Sequence, residues 1–143
     1  MKKNTIDFVY EEINFHLPNE NLISAWIKKT VNREQKKIEQ ITFIFCNDEY
    51  LLNINIKFLN HDYYTDVITF PYQQKHNPIW GDIFISLDRV KENASIQKVD
   101  FMQELYRIMI HGVLHLVGFN DLTELDKKTM NLKENYHLER LRS

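Results

Sequence analysis

Only three glycines occur among the 143 residues, and two of them lie in one stretch with a pair of histidines: His111-Gly112-Val113-Leu114-His115-Leu116-Val117-Gly118-Phe119-Asn120-Asp121. A chain so poor in glycine has few places where the backbone can take a positive φ or approach a neighbour closely, so each glycine marks a local demand. The apolar run around the histidines predicts a helix, and Gly118 stands where such a helix must stop and turn back. His111 and His115 are four apart, so both imidazoles leave one helix face and can reach a single cation. Asp121 follows the turn at a position where a third ligand can close on the same ion. Three protein ligands with a fourth position open is the catalytic rather than the structural zinc pattern. A histidine pair at this spacing arises by chance in about one chain in four of this composition; adding the glycine and the third ligand lowers the figure to roughly 0.0005.

The rest of the chain predicts the scaffold. Ile6, Phe8 and Tyr10 alternate with polar residues as in a strand, and Pro18-Asn19 opens a helix with apolar pairs at Leu22/Ile23, Trp26/Ile27 and Thr30/Val31. Ile41 to Cys46, Asp66 to Phe70 (stopped by Pro71) and Gly81 to Ser86 read as three more strands, with Ile83 and Ile85 on one face. Asn47-Asp48 caps a helix through Phe58, Asp88 caps a short helix to about Ile96, and Asp100 caps the longer helix that carries the histidines. A polar helix runs from about Thr123 to Leu141. Four strands mixed with helices predict one α+β domain over residues 1–143, a mixed sheet packed with helices and a metal site at the end of the long helix.

Composition excludes several classes. The formal net charge is −2, so no general basic excess advertises nucleic acid, and Lys28, Lys29, Arg33, Lys36 and Lys37 read as a solvated helix face. The single Cys46 falls in an apolar strand and reads as a buried thiol of a reducing compartment. No apolar run is long enough to span a membrane. The start Met1-Lys2-Lys3-Asn4-Thr5 lacks a signal peptide's apolar stretch. A cytoplasmic location is the expectation.

The histidine spacing resembles the metzincin zinc site, a zincin-like arrangement, with one departure: metalloproteases place a general-base Glu after the first His, and here that position is Gly112. Usual zincin peptide hydrolysis is therefore not expected. The whole segment resembles more closely the signature HGxLHLxGxDH of the YbeY endoribonucleases. Thr65-Asp66-Val67-Ile68-Thr69-Phe70-Pro71 is similar to that family's PTDVLSFP strand, and Gly81-Asp82-Ile83-Phe84-Ile85-Ser86 to its GDIxIS strand. Glu104 and Arg107 also match, and the similarity runs from about residue 40 to 135. The departures are specific. The family's third histidine ligand is Asp121 here, whose charge makes the water on the metal less acidic. Its preceding Asp is Asn120, an Arg associated with activity is Leu59, the Lys two residues on is His61, and the Pro before Thr65 is Tyr64. Loss of that cation weakens stabilisation of the scissile phosphate unless Lys57 or Arg107 replaces it.

The resemblance implies a single-strand-specific, zinc-dependent endoribonuclease that matures the 3′ end of 16S ribosomal RNA and acts in ribosome quality control. It implies one Zn2+ on His111, His115 and Asp121, and as partners ribosomal RNA, the small ribosomal subunit, one of its proteins and an assembly GTPase. The alternatives are a non-catalytic ribosome-assembly factor with a structural metal, and a metal-dependent hydrolase of another substrate. His61 and Arg107 are the further cleft candidates, although Glu104 and Arg107 read most simply as an ion pair on one helix and His61 as a polar loop residue. Asp82 is either a partner of a ligand imidazole or a strand-end hydrogen-bonding group. Tyr63 and Tyr64 are expected in the core rather than stacked on bases, and His137 on the solvated side of the last helix.

Overall fold

The computed structural model describes residues 4–142. Met1, Lys2 and Lys3, which bear on the expected lack of a leader segment, lie outside the described residues, as does Ser143. β1 (Thr5–Tyr10), α1 (Glu20–Arg33), β2 (Ile38–Cys46), α2 (Asp48–Leu59), β3 (Val67–Pro71), β4 (Ile79–Ser86), α3 (Leu87–Gln97), α4 (Phe101–Val117) and α5 (Glu124–Arg142) follow in that order. The strands form one mixed sheet in the order β1-β2-β4-β3, with β1, β2 and β4 parallel and β3 antiparallel to β4. Pro71 ends an edge strand, where its missing N–H breaks no ladder.

Strand alternation sorts the side chains onto two faces. Ile41, Phe43 and Phe45 of β2 and Ile83 and Ile85 of β4 point to the side covered by α1 and α4, in a core with Trp26, Ile27, Leu105 and Met109. Cys46 and Ile68 point the other way, under Leu51 of α2 and beside Phe70 and Phe84. Cys46 is buried and unpaired, as expected. Among the described residues no helix is long and apolar enough to cross a membrane.

Three local expectations are corrected. The α3 cap is Ser86 rather than Asp88: the Ser86 hydroxyl accepts from the Arg89 amide, while Asp88 accepts from the Asp48 amide and so joins α3 to α2. Tyr63 and Tyr64 are exposed rather than packed in the core, because the chain between α2 and β3 passes outside the sheet. His137 is fully buried, since α5 lays one of its polar sides against α1: its Nε2 meets Glu34 at 2.7 Å, and its carbonyl accepts from the Trp26 indole.

Candidate metal centre

α4 is placed by its apolar side. Leu105, Ile108, Met109, Val113 and Leu116 are buried against the sheet and α1. Gly112 is part of that fit: a Cβ built there would stand 2.8 Å from Ile83 Cγ2, so the helix approaches β4 more closely than a side chain allows. His111 and His115 sit at the margin of the buried side, partly covered, with ring centroids 4.6 Å apart and planes nearly perpendicular.

The turn after α4 returns the chain to these rings. Gly118 has φ 128°, a conformation that side-chain-bearing residues rarely adopt, and its amide bonds the Leu114 and His115 carbonyls. The Asn120 carboxamide accepts from the Leu122 amide. Thr123 and Asp126 then cap α5 reciprocally, the Asp126 amide donating to the Thr123 hydroxyl and the Thr123 amide to the Asp126 carboxylate. Between these fixed points Asp121 is turned back to the helix, its Oδ2 3.5 Å from His111 Nε2 and 3.7 Å from His115 Nε2. The two Nε2 atoms are 3.0 Å apart.

One ligand atom from each of His111, His115 and Asp121 lies within 4.8 Å of the others, so the three residues could hold a metal ion. Around a tetrahedral zinc, donor atoms about 2.0–2.1 Å from the ion stand roughly 3.3 Å from each other. The separations of 3.0, 3.5 and 3.7 Å bracket that value. Two imidazoles and one carboxylate are also a donor set that zinc takes readily.

Glu134, which sequence reasoning passed over, completes the arrangement. It comes from α5, 23 residues beyond His111, and its Oε2 lies 2.7 Å from His111 Nδ1. A carboxylate only accepts, so the proton of the neutral ring sits on Nδ1 and the Nε2 lone pair faces the cluster. Oε1 of the same residue accepts from the Arg107 guanidinium at 2.8 Å. Arg107 therefore pairs with Glu134 rather than with Glu104. Its fork also reaches Asn131 and Asn135, and it braces the carboxylate that holds His111. The available signal was weak: a polar helix whose only mark is a small apolar and acidic stripe at Met130 and Glu134.

Charge follows position. Burial works against protonation of His111, but the hydrogen bond and charge of Glu134, with Asp121 and Asp66, outweigh it and raise its pKa. Burial and the neighbouring His111 lower the pKa of His115, against Asp121. The two histidines thus differ in how readily they give up a proton to a cation.

Among the described residues, the remaining candidates make no hydrogen bond or ion pair with the three donors. His61 is exposed and stacks on Tyr63, whose hydroxyl is 3.0 Å from its Nδ1. Asp82 accepts from the Tyr72 hydroxyl, the strand-end alternative of the two expected. Leu59 is partly exposed at the end of α2, and Lys57 lies over the Phe58 ring. Gln73 donates to the Leu116 carbonyl and ties the chain between β3 and β4 to the end of α4.

Comparison with known proteins covers nearly the whole chain. Residues 6–142 match the family model described as Endoribonuclease YbeY. A relative named Endoribonuclease YbeY from Karelsulcia muelleri (strain GWSS) is 50% identical over 129 residues, 90% of this chain and 91% of its own length. Another of that name from Amoebophilus asiaticus (strain 5a2) is 45% identical over 138 residues, 96% of this chain and 94% of its own. Among solved structures, the solution structure of TM1509 from Thermotoga maritima is similar with a TM-score of 0.69 and 25% identity, over 96% of this chain and 89% of that one.

Proposed function

The chain belongs to the YbeY family of endoribonucleases, and from that premise we propose that it hydrolyses single-stranded ribosomal RNA, as a single domain, with zinc held by His111, His115 and Asp121. The observation that carries the reading is the convergence of these three donors at 3.0–3.7 Å, with Glu134 behind His111. Zinc bound there supplies Lewis-acid polarisation of a phosphate oxygen and a lowered pKa for water.

The chain's own residues do the positioning. Glu134 holds the proton on His111 Nδ1 and keeps Nε2 free. Arg107 fixes Glu134, and the turn at Gly118 aims Asp121 at both rings. Gly112 stands where a zincin protease carries its general base, which supports a phosphodiester rather than a peptide substrate. Processing of the 16S RNA 3′ end, ribosome quality control, contact with the small subunit and its assembly factors, and work in the cytoplasm complete the proposal, supported by the family resemblance.

Purified protein of defined zinc content, incubated with single-stranded ribosomal RNA, tests the reading. The wild type is expected to cleave, and Asp121→Ala to lose about 100-fold or more of the rate. Equal cleavage by the two proteins would assign the activity to a contaminating nuclease. Leu59→Arg, at a partly exposed position that admits the longer side chain, is expected to raise the rate by restoring a cation. A non-catalytic assembly factor would instead lose only stability when the metal is removed.

A further inference from the structure

The metal centre leaves one buried titratable group of α4 unused. Glu104 lies seven residues before His111, about 10 Å of helix rise. It is 3% exposed, and its carboxylate makes no hydrogen bond or ion pair among the described residues. Burial raises its pKa, Arg107 opposes the rise, and Asp66 and Glu134 add to it. With so little of its surface left and no donor from the protein, this carboxylate is one that N–H groups presented from the cavity it borders would stabilise.

Glu104 borders a cavity of about 520 Å3 between α4 and α5, with Val99 and Leu138 as its apolar walls. Arg107 lines the same cavity. Its guanidinium has five N–H donors, of which three are taken by Asn131, Glu134 and Asn135, so donors remain for an acceptor placed beside the carboxylate. Glu134 borders both this cavity and the metal centre, which makes the two sites neighbours.

We propose that this cavity takes a guanine base of the RNA, with Glu104 accepting from its N1–H and N2 amino group. The inference rests on the chain acting on RNA and adds what it selects. Two carboxylate oxygens need two adjacent donors, and on its Watson–Crick edge only guanine offers them. Adenine and cytosine set one amino group beside a ring acceptor, and uracil sets one N–H between two carbonyls. O6, next to N1–H, falls to the remaining Arg107 donors, and Val99 and Leu138 cover the faces of the ring.

Equilibrium binding of 5′-GMP, 5′-IMP and 5′-AMP to the full chain tests this without relying on cleavage. GMP is expected to bind about 10-fold or more tightly than AMP, with IMP weakened because it lacks the N2 amino group. Glu104→Gln, which replaces one acceptor by a donor, is expected to abolish the GMP preference while AMP binding and the melting temperature stay near wild type. Equal binding of GMP and IMP by the wild type overturns the proposal even if the variant fails to fold, as does a GMP preference that survives in a folded Glu104→Gln. A GMP preference that depends on Glu104 in a protein unable to cut RNA would uphold the pocket and count against the hydrolase reading alone.

Discussion

Glu134 serves two partners at once, Arg107 through Oε1 and His111 through Oε2. Removing such a carboxylate behind a ligand imidazole typically weakens a metal about 10- to 100-fold. Glu134→Ala is therefore expected to lose zinc affinity in that range in a chelator competition, and Glu134→Gln, which keeps an acceptor but not the charge, to lose less. The same contact sets a pH dependence. Because His111 must give up a proton to bind a cation and its pKa is raised, zinc affinity should begin to fall on acidification at a higher pH than an ordinary imidazole dictates. In Glu134→Gln the onset should move to lower pH, as a competition series across pH 5.5–8 would show. Gly118 acts through backbone alone. At φ 128° an alanine is strained, so Gly118→Ala should cost about 1–3 kcal/mol in urea unfolding and weaken zinc as Asp121 moves.

At the level of elements, α4 and α5 are held by opposite kinds of side chain. α4 rests on β4 through apolar contact at Gly112 and Ile83. Gly112→Ala must push back a fully buried branched side chain, so despite the better helix propensity it should lower unfolding free energy by about 1–3 kcal/mol. α5 is polar along its length, yet it buries Glu134 and His137 beside Met130. Burial lowers the His137 pKa, against the Glu34 hydrogen bond, and Lys133 and Arg33 add to the lowering. Below the usual imidazole value of about 6.5, the unfolded chain holds a proton that the folded chain does not. Stability should then fall as pH drops from there toward the lowered folded pKa. His137→Gln should show a smaller fall between pH 7.5 and 5.5, read by urea unfolding at each pH.

For the whole molecule, the parts written in local periodicity were legible. The two-residue alternation at Ile6, Phe8 and Tyr10 predicted a strand, and the same spacing put Ile83 and Ile85 on one face, which the core covers. The four-residue spacing of His111 and His115 with a glycine stop predicted a helix that ends at a site. Each signal depends on residues a few positions apart, and the backbone's repeat converts such spacing into a shared face whatever the rest of the chain does. The burial of Glu134, His137 and Glu104 was not legible, nor was the pairing of Arg107 with Glu134 in preference to Glu104. Those facts depend on how α5 is rotated and where it crosses α4 and α1, which no spacing along a polar helix records. By itself, then, the sequence determined the strands, the helices and the three donors that face one another. The packing of α5 alone decided which carboxylate stands behind His111 and that Glu104 is left to border an open cavity, because a polar side chain's environment belongs to the element that covers it.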